Sequence, residues 1–182
     1  SAFFTTTVNP SISTFPYSEG FENGSGAWST GGTNSSWALG SPAGTVISGA
    51  ANGENAYVTN LTGNYNDNEA SFVLSPCFDF SMLNAPQVKM NIWYESENSW
   101  DGTMLQMTTD GGLTWTQVGN SAASGINWYN DNTINGLQAA GFSGEGWTNS
   151  PGSGAWVLAE HDLPSAANQP SVRFRIFHGS DG

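Results

Sequence analysis

Nowhere in this chain do apolar residues recur with the three-and-four spacing of an amphipathic helix, and that absence limits what it can fold into. Gly occurs 23 times and Asn is frequent, and both disfavour helix interiors. Apolar residues instead alternate over short runs. In QVKMNIWYES (87–96), Val88, Met90, Ile92 and Tyr94 point one way and Lys89, Asn91 and Trp93 the other. In SVRFRIF (171–177), Val172, Phe174 and Ile176 alternate with Arg173 and Arg175. Further runs read as strands at 56–61, 70–76, 103–109, 114–119 and 155–163. Asp110-Gly111-Gly112 joins two of them and predicts a hairpin. Short strands, turn signals and no helix predict an all-β fold in which two antiparallel sheets pack as a sandwich.

The hairpin segment TTDGGLTW (108–115) fits the Asp-box pattern of sialidase-type β-propellers. A propeller needs that unit in blade after blade, about 40–50 residues apart. Here it occurs once, and the chain has only two arginines, Arg173 and Arg175, for a carboxylate-binding cluster. Asp110 is therefore expected to hold a turn by accepting backbone N–H bonds, with the Trp packed beneath.

The charge balance narrows the function. Only 10% of residues are charged, against about 25% in ordinary soluble domains. Three basic residues face 15 acidic ones, for a net charge of −12. No basic patch can form, which argues against nucleic acid and anionic membranes. Arg173 and Arg175 are expected to lie beside acidic neighbours. The one cysteine, Cys77 in SPCFDF, allows neither an internal disulfide nor a thiolate metal centre and reads as a buried, inert thiol. His161 and His178 are too few for a histidine-rich centre, and no GxSxG or HExxH motif occurs. No apolar run is long enough for a membrane span. Low Lys with abundant Asn, Ser, Thr, Gly and Trp points to an extracellular protein. The opening SAFFTTTVNP, without Met or signal peptide, reads as a processed or excised piece.

Residues 1–16 read as a linker or extended edge segment, and 17–182 as one module. Within it, 21–53 is Gly-, Ser- and Asn-rich around Phe21, Trp28 and Trp37. Residues 120–153 form a long aromatic loop with no clear strand, and loops of that length are usually functional or disordered.

The blocks GFENGSGAWS, Trp37, NAYVTNLTGNYNDNEASFVLSPCFDFS, YESENSWDGTMLQMTTDGGLTWTQVG, GAWVLAEHDLP and SVRFRIFHGSDG, in that order, resemble MAM-like jelly-roll modules. Such modules, related in architecture to galactose-binding domains, occur in secreted and cell-surface bacterial proteins. They include modules attached to secreted peptidases and the cleaved adhesin modules of gingipain-type proteins. The resemblance spans roughly 17–182 and implies a jelly-roll sandwich. It implies a non-catalytic binding or adhesion role, directed at glycans or a neighbouring surface protein. A structural spacer in a surface or filament protein, or an accessory domain of a secreted peptidase or glycosidase, is the alternative. These modules continue past the SDG block into a final strand, whereas this sequence stops at Gly182. The last sheet edge is therefore expected to be open or filled by a strand donated from another chain.

Three groups of side chains are candidates for chemistry. Glu95, Glu97 and Asp101 in ESENSWDG could form a carboxylate pair, but nothing in their spacing calls for glycosidase catalysis. Calcium, which takes six to eight oxygens, suits this Asp- and Asn-rich chain. The resemblance places a structural cation near the N-terminal FE block, so Glu22 is the first ligand candidate, followed by Asp162 and Asp181. Trp100, Trp128, Tyr129 and Trp147 lie in loop contexts and are the candidate stacking platforms for sugar rings, with Asp131 bonding hydroxyls. Trp93, Trp115 and Trp156 lie in strands and are expected to pack.

Overall fold

The computed structural model describes residues 11–182. Its strands are β1 (Ser29–Thr33), β2 (Trp37–Gly40), β3 (Ala56–Thr59), β4 (Ala70–Leu74), β5 (Gln87–Ile92), β6 (Gly102–Thr108), β7 (Thr116–Gln117), β8 (Val157–Asp162) and β9 (Arg173–Gly179). Every strand pair is antiparallel. Hydrogen bonding gathers them into three sheets where the sequence predicts two: β1-β4-β9-β6-β7, β2-β3 and β5-β8. The all-β class and each alternating run are found. The helix-free expectation is corrected by one short helix, α1 (Asn135–Ala139), and a 3-10 turn at Pro164–Ala166.

The C-terminal strand is not an edge. β9 lies between β4 and β6, its register running Leu105↔Ile176↔Val73, so both its sides are paired. The alternation in SVRFRIF buries Val172 and Phe174, as expected. Arg173 and Arg175 do not meet acids. The Arg173 guanidinium donates through Nε and Nη2 to the Ser75 carbonyl at 3.1 and 2.9 Å. Arg175 donates to Gln106 Oε1 at 2.6 Å and lies 4.3 Å from the centre of the Trp115 ring. Burial among these rings brings the Arg175 guanidinium down to about 10. Carbonyl, amide and π-face partners satisfy a cation without a carboxylate.

One apolar cluster joins β6 and β9 to β8, with Leu105, Met107, Phe174 and Ala159 among its members and Val88, Met90 and Ile92 of β5 packed at its margin. α1 lies against β9, where Gly136 and Gly179 meet backbone to backbone. A Cβ on Gly179 would stand 2.6 Å from the Gly136 carbonyl oxygen. β1, with the sequence STGGT, shows no alternation and is formed by its neighbour. Gly31 lies over the Phe72 ring, and Gly32 takes a φ of +100° against the Ala70–Ser71 backbone. Of the N-terminal segment, residues 1–10 lie outside the described part. Ile12 donates to the Cys77 carbonyl and accepts from Asp79 N–H, both at 2.8 Å, which makes an isolated bridge to Phe78. Cys77 itself is half-buried rather than buried, its Sγ 3.5 Å from Ser171 Oγ.

Candidate functional site

The long segment 120–153 is where the expected stacking platforms must be corrected. Trp128, Tyr129 and Trp147 are 8%, 4% and 2% exposed and belong to the core. The three rings pack on one another with centroids 4.6–5.3 Å apart. Each polar tip is claimed by backbone: Trp128 Nε1 donates to the Val118 carbonyl at 3.1 Å and Trp147 Nε1 to the Asn127 carbonyl at 2.9 Å. The Tyr129 hydroxyl donates to the Leu105 carbonyl at 3.1 Å and accepts from the Leu105 N–H at 2.9 Å.

The physical reason is the edge of β6. Its side away from β9 carries β7 only at Gln106 and Met107. Beyond that, the Leu105 carbonyl accepts from the Val118 N–H and the Tyr129 hydroxyl, which also takes the Leu105 N–H, and Trp147 bridges to Thr103. The loop folds inward because β6 would otherwise bury unpaired backbone groups. Gly146 permits the approach, since a Cβ there would stand 2.5 Å from the Thr103 carbonyl oxygen.

Trp100 is different: it is 48% exposed. It sits in the β5–β6 loop, whose acids converge with the chain end. Carboxylate oxygens of Glu97, Asp101 and Asp181 lie within 4.8 Å of one another, a separation that a single oxygen-seeking cation could span. Asp101 is 4% exposed, accepting the Tyr65 hydroxyl at 2.7 Å and the Asp181 N–H at 2.9 Å. Burial, followed by the bond to Asp101, pushes the Tyr65 hydroxyl well above its ordinary range. Tyr65 stacks edge-on against His178, with centroids 4.7 Å apart. His178 is 3% exposed, and burial holds it below its usual value.

Of the predicted cation ligands, only Asp181 joins this group. Glu22 is exposed and accepts the N–H groups of Glu54 and Asn55 at 3.0 and 2.9 Å, which closes the 53–55 bend over the FE block. Asp162 is exposed on β8 and accepts Gln87 Nε2 at 2.9 Å. Among the described residues, neither belongs to a group of three metal-ligating side chains. Asp131 is part of a turn: Oδ1 accepts the Thr133 N–H and hydroxyl at 2.6 and 2.7 Å, and Oδ2 accepts the Ser99 hydroxyl at 2.7 Å. It therefore braces the loop that carries Trp100. Sequence reasoning named Glu97 and Asp101 only as a catalytic pair, and Tyr65 not at all. The signal was the ESENSWDG loop, but its meeting with SDG needs the β6–β9 register.

Asp110 behaves as its motif predicts. Its carboxylate accepts the Thr114 hydroxyl at 2.5 Å, the Thr114 N–H at 3.0 and 3.1 Å, and the Thr108 hydroxyl at 2.7 Å. The Thr114 hydroxyl and N–H, then the Thr108 hydroxyl, hold the carboxyl well below the usual carboxylate range. A depressed folded value stabilises the fold above the unfolded value of about 3.9, and that contribution is lost as pH falls toward the folded one. Asp110→Asn should therefore be less stable than the parent at pH 7. The gap should narrow below about pH 4 in denaturant titrations, and a gap independent of pH would contradict this account.

No family model matches the chain, and no solved structure matches it. Among described proteins it is similar to bacillopeptidase F of Bacillus subtilis (strain 168), with 35% identity over 119 residues. The match covers 62% of this chain but 8% of that relative, so the chain corresponds to a small part of a protein whose name marks it as a peptidase. No helix among the described residues is long and apolar enough to cross a membrane.

Proposed function

We propose that this chain is a non-catalytic, extracellular accessory module of a larger peptidase-type protein, built as a MAM-like jelly roll. One observation carries the reading: the similarity takes in most of this chain and a small fraction of the relative. In this reading the peptidase chemistry lies elsewhere in the longer protein, and this region serves binding or placement. The side chains described above narrow where such binding can occur. Asp110 and Asp131 are spent on turns, and Tyr129, Trp128 and Trp147 on the core.

In this reading, ligand contact belongs to the end of the module where Trp100 stands beside Glu97, Asp101 and Asp181. A calcium ion held by the three carboxylates stiffens the loop, and the exposed indole stacks on the C–H face of a sugar ring. Titrating the purified protein against a polysaccharide panel, with calcium and with chelator, tests this. Calcium should raise the melting temperature by a few degrees, about 1–3 kcal/mol of linkage, and binding should be lost in Trp100→Ala without loss of fold. A melting temperature indifferent to calcium removes the cation. Unaltered glycan binding by Trp100→Ala removes the platform. Glycan recognition itself fails if the folded protein binds no polysaccharide in either condition.

A further inference from the structure

A different part of the molecule carries an inference that does not rest on this reading. In antiparallel sheets a residue's N–H and C=O point to the same side of the strand, and successive residues alternate. Glu160 exchanges both of its backbone bonds with Ile126, each at 3.0 Å, on the side of β8 away from β5. So Val157, Ala159 and His161 face β5, and their partners Ile92, Met90 and Val88 use up their own bonds on β8. Gln87, Lys89 and Asn91 must then direct their N–H and C=O groups outward. Among the described residues, none of those groups has a hydrogen-bond partner, and β5 pairs with no strand but β8.

The side chains agree with the backbone. Ala159, opposite Met90, is fully buried. Val88, Met90 and Ile92 face the same cluster yet remain half-buried, so the core is left uncovered along this edge. Lys89 does not guard the edge as edge lysines commonly do, because its Nζ lies 2.7 Å from Glu160 Oε2 across the sheet.

We propose that the outer edge of β5 is a docking site for one extended polypeptide segment, neutral or basic, that adds a strand through Gln87, Lys89 and Asn91. Apolar residues at alternate positions of that segment would cover Val88, Met90 and Ile92. Charge selects the partner. The chain carries −12, and all three of its basic side chains are engaged internally, so a second copy would be repelled and a neutral or basic strand is not.

The probe is a capped peptide of about nine residues alternating valine with threonine and lysine, beside the same peptide N-methylated at alternate residues. Hydrogen exchange is followed at the amides of Lys89 and Asn91 on the whole chain. They should exchange freely in the protein alone and slow about tenfold or more with the peptide, but not with its methylated form. Asn91→Pro removes an outward N–H and is tolerated on an unpaired edge, so it should fold and lose the peptide. If that variant does not fold, the exchange measurement on the parent protein still decides. Slow exchange at both amides before any peptide is added overturns the proposal. So does peptide binding that leaves them unprotected. Protection that grows with protein concentration alone assigns the edge to a second copy and overturns it equally.

Discussion

Trp147→Ala should cost about 3–5 kcal/mol of folding stability, the largest loss expected from a single truncation in this protein. The indole is 2% exposed and packs edge-on against both Trp128 and Tyr129. Its removal leaves a cavity in the core, and also leaves the Asn127 carbonyl without the indole N–H that serves it at 2.9 Å. Because Trp147 also bridges Thr103, the loss reaches the edge of β6. Urea titration of the variant measures it, and the midpoint should fall without a change of slope. Trp100→Ala is the control. That ring is 48% exposed, and its truncation should cost under about 1 kcal/mol. Equal losses in the two variants would mean that the 120–153 segment is not part of the core.

Glu69→Ala is the second large effect, at about 2–4 kcal/mol. The Glu69 carboxylate is buried, 1% exposed, and among the described residues it forms no salt bridge. It is held by neutral donors: the Ser36 N–H at 2.8 Å, the Ser36 hydroxyl at 2.6 Å, the Asn66 N–H at 3.1 Å and the Ser71 hydroxyl. Alanine leaves those donors unserved, and Ser71, itself fully buried, cannot turn to water. Glu69→Gln keeps the shape and one acceptor oxygen, and should recover about half of the loss. The backbone of Glu69 also exchanges bonds with Ser180, its N–H to Oγ and its carbonyl from the Ser180 N–H, both at 2.9 Å. The Glu69 carboxylate also holds the Asn66 N–H, and the Asn66 carbonyl accepts the Ser180 hydroxyl at 2.7 Å, one residue before Asp181; under the calcium proposal, Glu69→Ala should therefore weaken calcium stabilisation as well as the fold. A calcium-induced rise in melting temperature as large as the parent's would separate the acidic group from this support.

The strands were legible because alternation is a local property. Val88, Met90 and Ile92, or Val172 and Phe174, announce a half-buried strand from a few neighbouring residues. The Asp110 turn was legible for the same reason, since Thr108, Asp110 and Thr114 find one another within a single hairpin. Exposure was not legible. Trp100 and Trp147 both stand in Gly-, Asn- and Ser-rich surroundings, and sequence gives them the same expectation. What parts them is a distant backbone: Trp147 is drawn in to bridge Thr103 on the edge of β6, while Trp100 stays in the β5–β6 loop with its ring 48% exposed. The arginines show the same limit, because Trp115 and Gln106 reach Arg175 only through strand pairing.

By itself, then, the amino-acid sequence determined the all-β class, the positions of the alternating strands β3 to β9 and the role of Asp110, because each depends on residues close along the chain. Tertiary structure alone decided that β9 is central, that the aromatic loop is core, and that Glu97 and Asp101 meet Asp181. It also decided that the outer edge of β5 is unpaired among the described residues. Those outcomes rest on which strands pair and in what register, and backbone hydrogen bonding sets that between residues far apart in sequence.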